Sequence, residues 1–557
     1  MKKIRNISLL LLLCSTCTFA QNDSIDRVVT VEREYQPVIQ QAGKIQSQPL
    51  IYTPTLKPVE IVYSSYSSPM QTEYNLSELG YSSLNFVHPR PLNGFLRAGV
   101  GHNNTVFDFS YRVGDKKGTS LDIYANHLGK WGRKTYSESQ LGLEFNKLFS
   151  STNLFFDAQG KNTFFTRYGK YFSYKADNGI KDSLSIDHFK DFTADDKMSL
   201  WEVDTRIGVR SLPKQEVQYL VQTGYEAFVM GKTATEHQIR TVAMVDWHSN
   251  EHHVGGNVNV QNRFYSSGTI DWDTPRSYGN DTVMQNHHVV KVEPYYAYIG
   301  KRFNIHAGVN FDLVFGKGKV FLPSPNVTFE AQLAKKWLAL YGGAVGDYRV
   351  TSVRENFGYN HFLHPELEIT DTCNRTYIPV DAFLGFKIRP HADLLIDLGA
   401  HYILTKYDVF YKWDNGYFTL VSDDHQRWQI GGKVNYHYQD IVNIHLDGHY
   451  NIWKMKSLEY AYYRPTWEVN FRVDAKINSK ISLYSANYFA GGRYALVGDE
   501  SVSLKPTIDL NLGAQYNINK WLSCYLQLNN YLHRKHDFLY AYQTDGINFV
   551  AGITWAF

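Results

Sequence analysis

From Phe95 to the last residue the chain alternates between apolar and polar side chains with a period of two, and few folds survive that constraint. Trp201, Val203, Thr205, Ile207 and Val209 alternate with Glu202, Asp204, Arg206, Gly208 and Arg210. Phe303 to Phe311, Val442 to Gly448 and Trp467 to Ala475 repeat the pattern. Successive strand residues point to opposite faces, so each segment has one greasy and one hydrated face. A soluble sandwich alternates too, and the connections separate the two cases. Short turns fall near 150–151, 211–214, 301–302, 389–391, 439–440 and 519–520. Long connections lie between them, at 129–137, 169–195, 265–286, 351–374, 405–426, 453–464, 491–504 and 531–546. Short turns on one side and long loops on the other describe an all-β fold, a transmembrane antiparallel barrel.

The alternation demands about 22 strands, with both ends on the short-turn side. Asp408–Val421 is read as a strand pair protruding into an external loop, because one more crossing there would break the up-and-down order. A mean hydropathy of −0.37 with 20% charged residues looks soluble, but half-polar strands give that value in a membrane barrel as well. No run approaches the ~18 apolar residues of a spanning helix. A barrel this wide does not fill its lumen with wall side chains, so something else plugs it or it conducts.

Residues 1–20 read as a secretory signal peptide: Lys2, Lys3 and Arg5, then the apolar Leu9–Leu13, then Thr18-Phe19-Ala20. The chain carries 57 basic against 54 acidic residues, and the excess of three sits in this segment, which removes any charge argument for nucleic-acid binding. Residues 21–92 form a Pro-rich periplasmic arm without sustained periodicity, and 93–557 form the outer-membrane barrel. Of the cysteines only Cys373 and Cys524 lie outside the signal, in an external loop and a strand, so no disulfide framework is expected.

The final strand places Ile547, Phe549, Ala551, Ile553, Trp555 and Phe557 on one face, and Phe557 is the last residue. Such a strand, with Phe549, Ile553, Trp555 and Phe557 as its signal positions, is similar to the one read by the outer-membrane barrel-assembly machinery. An export signal, about 22 strands and this terminal strand together resemble the barrel of TonB-dependent outer-membrane receptors. The resemblance covers roughly 93–557 and implies passage or uptake of a solute across the bacterial outer membrane, in contact with outer-membrane lipid and lipopolysaccharide. Those receptors carry a globular plug of well over a hundred residues. Residues 21–92 are too few and too Pro-rich for one, which implies a plugless relative. The competing reading is a non-transporting barrel that acts as scaffold or docking partner for periplasmic or surface proteins.

Within the arm, Asp26 followed by Arg27, Val28, Val29, Thr30 and Val31 resembles the TonB box, a short peptide that adds a strand to TonB or another periplasmic protein. Tyr35 and Pro37 suit docking into a groove, or a plain linker. Tyr407, Phe410, Tyr411, Trp413 and Tyr417 suit external contact with sugars, peptides or a surface partner, and equally a lipid-boundary girdle; Phe164–Tyr174 is read as girdle. His252-His253, His287-His288, His445 and His449 are read as wetted lumen or turn histidines, with no metal site. Lumen-facing Glu202, Asp204, Arg206, Arg210, Arg240, Asp246, Glu468, Arg472 and Asp474 suggest lateral ion pairs in a hydrated interior. No catalytic signature and no cofactor are expected.

Overall fold

The computed structural model describes residues 94–557 except 116–117, 133, 167–196, 214, 231–233, 268–285, 316–320, 335–336, 364–374, 415–416 and 440. The arm positions Arg27, Val28, Val29, Thr30, Val31, Tyr35 and Pro37, the signal segment and Cys373 lie outside the described residues. Twenty-two antiparallel strands close into a barrel. The first, Gly94–Gly101, pairs with the last, Asn548–Ala556, in register from Phe95↔Ala556 to Gly101↔Val550. Closure leaves no unpaired strand edge in the wall, as lipid requires.

Register follows from the alternation. Trp201, Val203, Ile207, Ile239, Trp428 and Ile430 face outward and are exposed, forming the apolar belt. Glu202, Asp204 and Arg206 face the lumen. A one-residue slip would turn Arg206 to lipid, at a cost of roughly 2–4 kcal/mol near the bilayer midplane. Some strands also need a missing side chain. At Gly343 a Cβ would overlap the Val327 carbonyl of the neighbouring strand, which accounts for glycine inside an otherwise regular strand.

The expected protruding pair is present: Leu394–Asp414 and Tyr417–Tyr438 are 21 and 22 residues long. The outward pair Tyr402 and Trp428, with ring centroids 4.8 Å apart, marks the belt's end, and the hairpin continues beyond it. A register shift between Thr405 and Asp408 places a bulge where the hairpin leaves the wall. Tyr407 has φ 57° there, and its amide donates to Asp424 at 3.0 Å. Such a bulge bends a strand, and this hairpin turns across the lumen. Its distal end pairs in parallel with a second short strand, Arg493–Val497, through Lys412↔Leu496 and Trp413↔Val497. Two strand pairs that the sequence did not single out, Val217–Met230 with Ala234–Ser249 and Phe303–Phe315 with Phe321–Ala334, also meet on the long-loop side.

Candidate functional site

The loops on one side of the barrel do not simply extend outward. A single buried apolar cluster joins Phe165, Leu200, Phe228 and Met230 from the wall to Phe357, Phe362, Leu363, Trp413, Phe418, Tyr463, Leu496, Leu539 and Tyr542 from the loops. These positions come from widely separated strands, so they can meet only across the opening. Phe362 sits at the centre. Its ring lies 3.8 Å from that of Tyr542, near-parallel, and 5.8 Å edge-on from Phe165. Burying large rings is worth about 1.5–3 kcal/mol each, so the cluster forms a lid with a core of its own.

Two expectations need correcting. Phe165 belongs to the lid and not to a lipid girdle, because it is fully buried on the lumen face. Phe410 and Trp413 are 1% and 8% exposed, so neither presents a ring to an external ligand. Tyr411 packs half-buried against the same cluster, and Tyr407 lies beneath the Arg375 guanidinium at 4.8 Å. Tyr417 begins the returning strand, but its side chain lies outside the described residues. The clustering of aromatics was legible; the side of the rim toward which they fold was not.

The loop leaving strand Leu338–Val350 forms helix α1, Val353–Tyr359, started by a capping box. Ser352 Oγ accepts from the Glu355 amide at 2.9 Å, and the Ser352 amide donates to Glu355 Oε2 at 3.1 Å. Its first turn buries Val353 and aims Arg354 at the barrel wall. Arg354 Nε donates to Glu202 at 2.7 Å. Its two terminal nitrogens grip both Asp204 oxygens, at 2.9 and 2.8 Å, and one also reaches Glu226 at 2.8 Å. The Arg354 amide donates to Glu236 at 3.2 Å. Beside it Arg263 donates to Gln238 at 2.6 Å and to the Val350 carbonyl at 2.5 Å. The apolar lid is therefore fastened to the wall by a planar cation that three carboxylates hold. Nothing in the loop sequence marked Arg354; the acidic run on the strand was the only visible half of the latch.

Below the helix lies a cavity of about 280 Å³, lined by Tyr124, Asp157, Asp204, Glu226, Arg240 and Arg354 among others. Lateral pairing of lumen charges is as expected: Arg206 with Asp157, and Arg472 with Asp474 at 2.7 Å. The histidine reading needs amendment. His445 is an exposed partner of Asn435 at 2.5 Å, but His449 is buried against Glu468 at 3.0 Å and His287 is buried also. His253 does not stand alone, since it meets Asp246 and His248 on the lumen face. Phe549, Ile553, Trp555 and Phe557 all face outward, between 39% and 47% exposed.

No protein-family model matches the chain, and no curated protein matches it by sequence. Solved structures do match in fold. The ferric enterobactin receptor PfeA from Pseudomonas aeruginosa aligns with a TM-score of 0.61 at 12% identity, over 84% of this chain and 81% of that one. The pyoverdine outer membrane receptor FpvA from P. aeruginosa PAO1 gives 0.61 at 10% identity, over 83% and 78%. The copper transporter OprC gives 0.60 at 11%, over 84% and 82%. The chain has the 22-stranded barrel fold of TonB-dependent outer-membrane receptors.

Proposed function

We propose that this protein is a transport barrel of the bacterial outer membrane that admits a solute when its lid is released. The observation that carries this reading is the Arg354 latch. A barrel wide enough to conduct has its opening covered by loops, and the cover is fastened to the polar wall by ion pairs that can exchange with water, not by a covalent or wholly apolar seal. Mixed charges along the wall suit hydrated passage without strong selectivity by sign. The neighbours named above are siderophore receptors and a copper transporter, which supports a receptor-type role without designating the solute. In this reading the arm, residues 21–92, replaces a globular plug, and Arg27–Val31 docks TonB or another periplasmic protein by strand addition.

A second reading, a non-transporting scaffold, draws support from the same lid, because its apolar core would suit permanent closure. Single-channel recording in planar bilayers separates the two. For transport, the full chain is silent or rarely open, and conductance rises on deletion of 21–92, on Arg354→Ala, or on the two combined. If all three variants stay as silent as the parent, the scaffold reading replaces transport.

A further inference from the structure

We propose that the short-turn end of the lumen carries a binding site for a divalent transition-metal ion of the zinc type, formed by Asp246, His248 and His253. The site is independent of the lid and of any transport role.

Its geometry follows from strand register. Strands Ala234–Ser249 and His252–Ser267 form a hairpin closed at Asn250-Glu251, and His248 lies directly opposite His253. Opposed residues of an antiparallel pair bring their Cβ atoms within about 5.5 Å. Asp246 lies two residues before His248 and therefore on the same, lumen-facing side. One ligand atom from each residue falls within 4.8 Å of the others. His253 Nδ1 is 3.0 Å from Asp246 Oδ1, and the two imidazoles lie 5.2 Å apart at 21°. Four-coordinate zinc with bonds of about 2.0–2.2 Å places its donors roughly 3.3 Å apart, so His248 needs to swing by on the order of 1 Å.

Two further observations point to a ligand here. His248 Nδ1 is buried with no hydrogen-bond partner, and an unsatisfied buried nitrogen costs free energy unless something binds it. The carboxylate is also held in place from behind. Tyr295 on the next strand donates its hydroxyl to Asp246 Oδ2 at 2.6 Å, which leaves Oδ1 directed at His253. Tyr295 reaches Asp246 by lying over Gly255, which pairs with both residues; a Cβ at Gly255 would stand 2.5 Å from the Tyr295 hydroxyl. A hydrogen-bonded carboxylate behind a ligand set is the outer shell that metal sites use to fix their ligands. Two imidazoles and one carboxylate favour zinc, nickel or copper over magnesium or calcium, and a water would complete the shell.

The test is calorimetric titration of the tag-free full chain in detergent with Zn²⁺, beside four variants. His248→Ala/His253→Ala should lose one zinc site, with at least tenfold weaker binding. Asp246→Asn should weaken it similarly at almost unchanged shape. His252→Gln, whose parent imidazole bonds Tyr296 at 2.7 Å on the other face, should bind as the parent does. Tyr295→Phe, which removes only the positioning hydroxyl, should weaken binding while Co²⁺ still gives a tetrahedral spectrum. Heat-modifiable gel migration confirms a closed barrel in each variant, and if the double variant fails to fold, Asp246→Asn decides. The proposal is overturned if the parent takes up no zinc at millimolar free ion, or if its titration superimposes on those of His248→Ala/His253→Ala and Asp246→Asn.

Discussion

Replacing Arg354 with alanine should open the barrel. The guanidinium contacts Glu202, Asp204 and Glu226 through four hydrogen bonds of 2.7–2.9 Å. Hydrogen bonds to charged groups contribute about 1.5–3 kcal/mol each when dry. Here the side chain is 26% exposed and its partners 15–30%, so water takes up part of each contact when the lid lifts. Breaking a fully buried pair costs about 3–5 kcal/mol; discounted for this exposure, loss of the latch costs about 2–4 kcal/mol. At 1.4 kcal/mol per decade that shifts the ratio of lifted to seated lid by roughly 30- to 700-fold. The substitution also leaves Asp204 and Glu226 without this cation, while Lys161 stays 3.5 Å from Glu202, and the remaining carboxylate repulsion acts in the same direction. The assay is open probability in planar bilayers, with limited proteolysis of the loop at 351–363 as a measure of lid seating. Arg354→Lys, a point charge without the fork, should fall between parent and Ala. The coupling is tested by Glu202→Gln in both backgrounds: it should loosen the lid in the parent and partly restore it in Arg354→Ala. If Arg354→Ala matches the parent in both conductance and proteolysis, the ion pairs do not hold the lid and the apolar cluster alone seats it.

Three further outcomes follow from other parts of the structure. Phe362→Ala, at the centre of the lid, should cost the lid about 3–5 kcal/mol while the barrel keeps its heat-modifiable migration; unchanged protease resistance of 351–363 would refute the packing argument. The protruding hairpin should loosen in acid. Burial alone would raise the Asp408 carboxyl, but the guanidinium of Arg464, donating at 2.9 Å, and the imidazole of His425 outweigh it and hold it well below the usual carboxylate range; burial pushes His425 down. Both groups bind protons less readily when docked, so their stabilisation is complete at neutral pH. It declines as pH falls below about 6.5 for His425 and below about 3.9 for Asp408. Hydrogen exchange over 408–423, corrected for intrinsic rates, should show less protection at pH 5 than at pH 8, and equal or greater protection would contradict the sign. Phe557→Ala removes a ring stacked 5.9 Å from Tyr111 on the outer face. If Phe557 serves assembly, the variant should refold in detergent with less than about 1 kcal/mol of loss yet reach the membrane poorly in cells; normal cellular yield would dismiss the signal role.

The wall was readable from sequence because alternation is a local property, and burial on one face makes every strand declare its register. The count of 22 strands and the extension beyond Asp408 both came from that pattern. The lid was not readable. Its contacts join Phe165 to Phe362 and Trp413 to Tyr542, pairs far apart in sequence, and loop residues carry no periodicity to show which way they fold. Nothing in the sequence separates Arg354 from other loop cations; helix α1 is what places it over the acidic wall. The Asp246, His248 and His253 group lay between these extremes. Same-face spacing across a four-residue hairpin turn contained it, but only the register that sets His248 opposite His253 brings the three side chains together.

The seam between Gly94–Gly101 and Asn548–Ala556 has a consequence for how the protein is made. Its partners stand about 460 positions apart, and bringing such distant ends together costs about 5 kcal/mol of chain entropy. The wall cannot close until Asn548–Ala556 is in place beside Gly94–Gly101. Until then two strand edges remain bare, each able to pair with another chain. Removing the nine residues of Asn548–Ala556 would leave an open sheet in place of a smaller barrel.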